Sequence, residues 1–196
     1  MKDLKHIALN AFKESSKVKK HFIEHHVDDI VNASHEIVKR LKKGGHIFFM
    51  GNGGSAADAQ HLVAELVGRF YQDRAPIPAF SLSTNSSILT EIPNDFDFSM
   101  LFARQIEADV NNNDVVIGIS TSGRSRNIIN GINSAKEKGA LTIGFTGGDG
   151  GEMDNLCDIL FVVPSEDTPR IQETHITLGH TLCQLIESEM FEDEDI

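Results

Sequence analysis

Two side chains in this sequence are spaced so that they can act together on one substrate. His61 and Glu65 lie four residues apart in an alanine-rich segment that favours a helix, so both side chains project from one helix face. A neutral imidazole and a carboxylate on one face can bind a metal ion or transfer a proton. The same spacing also occurs in pairs that merely lie on a solvated helix surface, so spacing alone leaves both interpretations open.

A glycine-rich turn precedes this helix. The segment Gly51-Asn52-Gly53-Gly54-Ser55 follows the short apolar run 46–50, which is typical of a buried strand. Glycines let the backbone turn where a Cβ would clash, and Ser55 is predicted to be the N-cap, so the turn should present N–H groups at the positive end of a helix. Such a turn can bind an anion or a sugar hydroxyl, or it can simply close a strand-to-helix connection.

A second polar turn, Ser120-Thr-Ser-Gly-Arg-Ser125, follows another apolar run and leads into a helix-like segment. Its hydroxyl and N–H groups would cluster at a helix N-terminus, which predicts a phosphate-binding loop or, more simply, a capped turn. The Gly-Lys-Ser/Thr ending of a Walker loop and the GxGxxG dinucleotide pattern are both absent. The glycine-rich segment 146–151 is interpreted as a flexible connection and is given no chemistry.

Two further pairs of polar residues have an open interpretation. Asn94 and Asp95 lie between helix-like segments and can bind sugar hydroxyls or cap the following helix. Gln172 and His180 lie eight residues apart in the last predicted helix, about 80° apart around its axis. Spacing alone favours a core or interface role for such a histidine.

Composition narrows the function classes. The chain has 196 residues, predicted to form one domain (1–196), with 18 basic and 29 acidic residues and a net charge of −11, so nucleic acid is not the expected partner. No apolar run is long enough for a membrane span, so no membrane contact is expected. Cys157 and Cys183 form no metal or redox pattern, which favours a reduced, cytoplasmic compartment.

Five apolar runs define the predicted sheet, and helix-like segments separate most of them. The runs are 46–50, 79–83, 115–120, 141–146 and 159–163. This alternation predicts a doubly wound α/β fold with a mostly parallel, five-stranded sheet flanked by helices, and ligands in such sheets bind at the carboxyl ends of the strands. Residues 1–43 are predicted to be helical and to pack on the sheet and on another subunit, while 44–196 form the α/β core and the C-terminal helix.

The motifs together resemble one family. The residues that carry the resemblance are GNGGSAADAQH followed by AELVGR, the NDF tripeptide, STSGRS, and RIQE followed by a histidine at position 180. They are similar to those of the phosphoheptose isomerases, the sedoheptulose 7-phosphate isomerases of the sugar-isomerase (SIS) fold, over nearly the whole chain. STSG alone is common to many phosphosugar-binding SIS domains, whereas the full set is specific.

The resemblance implies roles residue by residue. It implies Glu65 as the general base and His180 as the general acid, and a zinc site formed by His61, Glu65, Gln172 and His180. The implied substrate contacts are Asn52, Gly53, Gly54, Glu65, Asn94, Asp95, Ser120, Thr121, Ser122, Ser125 and Gln172. Ser55 is added on its position beside the glycine turn alone. The resemblance also implies a homotetramer with active sites at subunit interfaces, where Glu65 of one chain is expected to meet His180 of another.

The implied reaction converts sedoheptulose 7-phosphate to D-glycero-D-manno-heptose 7-phosphate through an enediol, the first step towards a nucleotide-activated heptose for lipopolysaccharide or capsule. Glu65 cannot easily be a tight metal ligand and a free base at once, and the sequence leaves that tension open. One alternative is a non-catalytic SIS protein that binds phosphosugars or associates with a replication initiator. The replication-initiator-associating paralogue of the family lacks the acidic residue at the position of Glu65. Another is an isomerase of a pentose or hexose phosphate.

Overall fold

The computed structural model describes residues 3–191 and has a five-stranded parallel sheet with helices on both faces. The strands are β1 Ile47–Gly51, β2 Ala79–Ser81, β3 Val115–Ile119, β4 Leu141–Gly147 and β5 Ile159–Val163. The α-helices are α1 Leu4–Leu41, α2 Gly54–Val67, α3 Ser86–Asp95, α4 Leu101–Asp109, α5 Arg126–Glu137 and α6 Thr168–Phe191. The predicted doubly wound fold is confirmed, while the predicted segments at 1–2 and 192–196 lie outside the described residues.

The sheet has two apolar faces because successive strand residues point to opposite sides. Phe49 and Ile117 join the core under α1, α2 and α6, whereas Met50 and Val116 join the core under α4 and α5. Every residue of β1, β3 and β4 is buried, as expected for central parallel strands covered on both faces. Within residues 3–191, no helix is both long and apolar enough to cross a bilayer.

The strands are all parallel and lie in the order β2-β1-β3-β4-β5. From β1 the chain first adds β2 on one side and then β3 on the other side, so the order of strands reverses between β1 and β3. In an open parallel sheet, the connections leaving two such strands run to opposite faces and leave a crevice at their carboxyl ends. The glycine turn follows β1 and the serine turn follows β3, since Gly51 pairs with Ile119 at the ends of these strands. The fold therefore brings both sequence motifs to the same crevice.

The N-terminal segment, which is predicted from the sequence to be helical, is one continuous helix of 38 residues. Asp3 caps its start through bonds to the N–H groups of Lys5 and His6, and the chain leaves the helix at Gly44, which has φ +80°. Between these ends the segment has neither proline nor glycine, so nothing interrupts the helix.

Pro93, the residue before Asn94 and Asp95, lies inside a helix, so this pair does not lie between two helix-like segments as predicted. Pro93 lies in the last turn of α3, and the N–H of Phe96 donates to the carbonyl of Ile92 at 3.0 Å across it. A proline removes only its own N–H, so the chain completes the turn before it leaves the helix. Asn94 and Asp95 therefore end α3, and Asp97 caps the following 3₁₀ turn.

A buried ion pair ties the end of α2 to α6. The Nε of Arg74 donates to Oε2 of Glu187 at 3.0 Å, and these side chains are 3% and 2% exposed. The other guanidinium nitrogens donate to the carbonyls of Glu65 at 3.0 Å, Leu66 at 2.7 Å and Gly68 at 3.0 Å. This bridge, called the Arg74–Glu187 bridge below, satisfies free carbonyls at the end of α2 and fixes that end against α6.

Candidate active site

Two imidazoles and a carboxylate meet between α2 and α6. His61 Nε2 lies 2.8 Å from His180 Nε2 and 3.3 Å from Glu65 Oε1. One potential ligand atom from each of the three residues lies within 4.8 Å of the others. The side chain of His61 is 49% exposed and that of Glu65 is 23% exposed, so the group opens to the surface while its carboxylate is largely covered.

Close packing of two helices produces this group. α2 and α6 run side by side in the same direction. Gly54 at the start of α2 lies against Gln172, and further along both helices Leu62 lies against Gly179. A Cβ on Gly179 would lie 2.5 Å from a methyl carbon of Leu62, so any larger residue would force the buried Leu62 side chain to move. The long-range pairing of α2 with α6 has no local signal in the sequence.

The expectation that Glu65 and His180 meet across a subunit interface is wrong. Both residues belong to the same group within one chain. The error arose because helices that follow different strands of a parallel sheet can lie on either face. Here α1, α2 and α6 share one core and therefore one face of the sheet.

The donor set suits a zinc ion. Two imidazole nitrogens and a carboxylate oxygen are ordinary zinc ligands, and their separation allows one ion to reach all three. Gln172, the fourth predicted ligand, is placed with its amide against Gly54 at the start of α2. The structure thus gathers three of the four predicted metal-site residues, and the role of Gln172 as a ligand stays a prediction.

Asp58 lies close enough to His61 and His180 to interact with their charge, although it is not among the site residues predicted from the sequence. Burial raises its pKa, while His61 and His180 act in the opposite direction through their charge. Its Oδ2 atom is buried and has no hydrogen-bond partner within residues 3–191. The sequence signal for Asp58 is its spacing, since it lies three residues before His61 and therefore shares its helix face.

The glycine turn adopts the predicted tight geometry but begins the helix earlier than predicted. Gly53, with φ +55°, is the N-cap, so the prediction of Ser55 as the cap is wrong. Ser55 is buried in the first turn, and its N–H donates to the carbonyl of Asn52 at 3.0 Å. Glycine adopts this positive φ without a steric penalty and has no side chain, so α2 begins without a side-chain cap.

Two asparagines join the two sides of the crevice. The amide of Asn52 donates to Asn127 Oδ1 at 2.9 Å, and the amide of Asn127 donates to Asn52 Oδ1 at 2.8 Å. Asn127 is 2% exposed and lies in the first turn of α5. Asn127 was missed because its role depends on a partner 75 positions away. The reciprocal pair fixes the glycine turn relative to the serine turn.

The serine turn is compact and has several polar groups at the start of α5. Ser120 is 4% exposed, and its hydroxyl donates to Ser125 Oγ at 3.1 Å. Gly123 has φ +63°, and its N–H donates to the carbonyl of Ser120 at 3.1 Å. Ser125 is the N-cap of α5 and makes no side-chain cap bond, while Thr121 is half-buried and Ser122 is exposed. Hydroxyl groups therefore lie at a positive helix end, as the sequence predicted.

A cavity of about 320 Å³ adjoins this turn, between it and the start of α6. The segment 146–151, which was given no chemistry, forms one of its walls. The lining residues are Thr121, Ser122, Arg124, Gly147, Gly148, Asp149, Ser165, Glu166, Thr168 and Ile171. The cavity is thus bounded by the phosphate-loop candidate and by the helix that bears Gln172 and His180.

Asn94 and Asp95 lie in a different place. The amide of Asn94 donates to Asp95 Oδ1 at 2.8 Å, and both residues line an open depression with Ser87, Thr90 and Glu91. Neither residue belongs to the cavity beside the serine turn. The structure of one chain therefore does not unite this predicted pair with the other substrate contacts.

The fold and site define a class of protein: a doubly wound α/β domain with polar turns at its strand-order reversal and a His–Glu–His group on two adjoining helices. The family model described as "SIS domain" matches residues 12–147. Phosphoheptose isomerase from Aquifex aeolicus is 51% identical over 176 residues, covering 90% of this chain and 92% of that protein. The enzyme from Thermodesulfovibrio yellowstonii is 50% identical over 182 residues, covering 93% and 90%.

Two solved structures of phosphoheptose isomerases are similar to this chain over nearly its whole length. Phosphoheptose isomerase from Neisseria gonorrhoeae aligns with a TM-score of 0.89 and 39% identity, covering 94% of this chain and 99% of that one. A phosphoheptose isomerase from Francisella tularensis aligns with a TM-score of 0.91 and 34% identity, covering 96% and 100%. The chain belongs to the phosphoheptose isomerases of the SIS domain family.

Proposed function

We propose that this chain isomerises sedoheptulose 7-phosphate to D-glycero-D-manno-heptose 7-phosphate. The observation that carries the proposal is the group of Glu65 and His180 within one chain, on α2 and α6, of which α6 borders the cavity beside the serine turn. The names of the relatives supply the substrate class, and the residues supply the chemistry.

Isomerisation of a 2-ketose requires two kinds of proton transfer. The carbonyl at C2 acidifies the C1 hydrogens, so Glu65 can remove one of them and return a proton to C2. His180 can move a proton between O1 and O2 while the enediol exists. One carboxylate and one imidazole suffice if both face the same two carbons, and their ligand atoms lie within 4.8 Å of each other.

A zinc ion is part of this proposal, with His61, Glu65, Gln172 and His180 as its ligands. When bound, it would polarise the carbonyl oxygen and hold the open-chain sugar. Glu65 would then serve both as a ligand of the ion and as the group that accepts the C1 proton. Asp58 supplies a further, half-buried carboxylate whose charge interacts with both histidines, so it adds to the negative charge that a cation would meet at this site.

The substrate phosphate binds at the serine turn, through Ser120, Thr121, Ser122 and Ser125. The glycine turn and Gln172 contact the sugar hydroxyls, through residues Asn52, Gly53, Gly54 and Ser55. Because Asn94 and Asp95 line a separate depression of their own chain, they contact the substrate of a neighbouring copy. This arrangement gives a site completed at a subunit interface, although Glu65 and His180 come from one chain.

A homotetramer is the proposed assembly. The first half of α1 exposes large apolar side chains, which favours burial against other copies. They include Leu4, Ile7, Leu9 and Phe12, of which Phe12 is 80% exposed. Sedimentation of the full chain should give about four times the 21.6 kDa chain mass. A phosphorylated substrate is charged and does not leave the cell readily, so the proposed compartment is the cytoplasm, where the product supplies activated heptose for lipopolysaccharide or capsule.

Incubation of the purified chain with sedoheptulose 7-phosphate, followed by NMR, tests the proposal. We expect an aldoheptose phosphate to appear, with much slower conversion of ribulose 5-phosphate and fructose 6-phosphate. Binding of sedoheptulose 7-phosphate without conversion, at saturating zinc, would favour the non-catalytic alternative. Faster conversion of the shorter sugars would assign a different isomerase.

A further inference from the structure

The cavity beside the serine turn has an unfavourable charge for its proposed ligand. Its charged lining residues are Arg124, Asp149 and Glu166. A phosphate monoester that enters this cavity meets two carboxylates, and the whole chain carries a net charge of −11. Hydroxyl and N–H groups of the serine turn are neutral donors, so they do not offset this repulsion fully. The charge balance depends on Arg124.

Arg124 is held at the cavity by a paired contact. Its two terminal nitrogens donate to Asp149, Nη1 to Oδ1 at 3.0 Å and Nη2 to Oδ2 at 2.6 Å. Nη1 also donates to the carbonyl of Ser122 at 3.1 Å, so the guanidinium lies over the serine turn. The planar fork that binds this carboxylate matches a phosphate equally well.

The Arg124–Asp149 bridge is exposed and therefore easily exchanged. The side chains are 55% and 68% exposed. Exposed ion pairs contribute little net stability, because water solvates the separated charges well. A ligand with a double negative charge can thus take the guanidinium from Asp149 at low cost, and Asp149 then turns to solvent.

We propose that Arg124 is a phosphate-binding residue that exchanges Asp149 for the substrate phosphate. Asp149 holds the guanidinium over the serine turn in the free protein, and it competes with the ligand for that guanidinium. The inference rests on the proposed function only for the position of the phosphate, at the serine turn. It adds Arg124 and the glycine-rich segment 146–151 to the recognition of the substrate.

The chain contains a matched control. Arg126 lies two residues further on and donates to Glu152 at 3.0 Å, with both side chains more than half exposed. This bridge joins the residues that directly follow the serine turn and the segment 146–151, but Arg126 is not among the residues that line the cavity. Substitution of Arg126 therefore removes an equal charge and an equivalent bridge without removing the proposed contact.

The experiment measures inorganic phosphate binding by calorimetry, and turnover of sedoheptulose 7-phosphate, for the full chain and its variants. For Arg124→Ala we expect phosphate Kd to rise roughly tenfold to a hundredfold, with a similar rise in KM and little change in kcat. Arg126→Ala should stay within about twofold of the unsubstituted chain, because that exposed bridge lies outside the cavity. Asp149→Asn should bind phosphate more tightly, because the competing carboxylate is gone.

Equal phosphate Kd values for the Arg124→Ala and Arg126→Ala variants would overturn the inference, as would a failure of the unsubstituted chain to bind phosphate. The two proposals fail separately. If the unsubstituted chain binds phosphate but converts no sedoheptulose 7-phosphate, the proposed reaction fails while the Kd values still decide the role of Arg124. If turnover is normal in Arg124→Ala, with unchanged KM and Kd, the reaction stands and the inference fails.

Discussion

The two sides of the site are stabilised by opposite kinds of ion pair. Beside the His61–Glu65–His180 group, the Arg74–Glu187 bridge is almost completely buried and also bonds the carbonyl of Glu65. Beside the cavity, the Arg124–Asp149 bridge is mostly exposed and joins two turns. A buried pair is costly to break, whereas an exposed pair exchanges readily.

This difference matches what each side has to do. The proton transfer proposed for Glu65 and His180 requires both groups to be held within a fraction of an ångström, so α2 and α6 would need a fixed relative position. Phosphate binding requires charged groups that change partner when the ligand arrives. The molecule is therefore rigid where Glu65 and His180 lie and exchangeable where the phosphate is proposed to bind.

The largest expected effect concerns the buried bridge. Arg74→Ala should lower the free energy of unfolding by about 3–5 kcal/mol, because Glu187 is left as an uncompensated buried charge. Urea unfolding of this variant and of Arg124→Ala checks the comparison, since the exposed substitution should barely move the midpoint. Replacing Arg74 and Glu187 together by apolar residues should recover much of the loss. Similar midpoints for the Arg74→Ala and Arg124→Ala variants would contradict the contrast.

The next effect concerns His175, which joins α6 to the end of β4 by donating to the Thr146 carbonyl at 3.0 Å. Burial lowers the pKa of His175 to about 4 from its usual 6.5. As pH falls below 6.5, the unfolded chain takes up a proton that the folded chain refuses, so stability is complete above pH 6.5 and declines towards pH 4.

At pH 4.5 this group should cost about 2.4 kcal/mol of stability relative to pH 7, because each pKa unit corresponds to about 1.4 kcal/mol. Urea unfolding at both pH values, for the unsubstituted chain and for His175→Asn, isolates the contribution from that of the carboxylates. An equal loss of stability in both proteins would show that His175 is protonated in the folded state.

A smaller effect is expected at Asp58. Asp58→Asn should weaken zinc binding about tenfold to a hundredfold, because it removes a half-buried negative charge beside the two histidines that are proposed to hold the ion. Competition with a chromogenic chelator measures the zinc Kd without reference to activity. Asp149→Asn on the exchangeable side removes the same charge and should leave the zinc Kd unchanged. Equal zinc affinities for the two variants would remove Asp58 from the metal site.

Local patterns were sufficient for much of this structure. Five strands followed from short apolar runs, and His61 and Glu65 share a helix face because four residues make about one turn. The serine turn lies at the start of α5 because its polar residues follow a buried strand. Each of these features depends on residues that are close together in the chain.

Features that depend on distant residues were missed or misplaced. The pairing of Asn52 with Asn127 and the Arg74–Glu187 bridge require the folded chain, as does the approach of α6 to α2. Glu65 and His180 were expected in different chains because sequence does not reveal which face of the sheet each helix covers. The N-cap of α2 is Gly53 and not Ser55, which shows a limit of a different kind. Several glycines precede this helix, and their types alone do not show at which one the helix begins.

Solvent deuterium most directly tests the claim that Glu65 transfers a proton between C1 and C2. In D₂O, sedoheptulose 7-phosphate should give an aldoheptose phosphate with deuterium at C2, because the proton on the Glu65 carboxylate exchanges with solvent. Glu65→Gln should still bind inorganic phosphate, yet turnover and deuterium incorporation should both fall by at least about 10². Product without deuterium at C2, or incorporation by Glu65→Gln at the unsubstituted rate, would contradict the account.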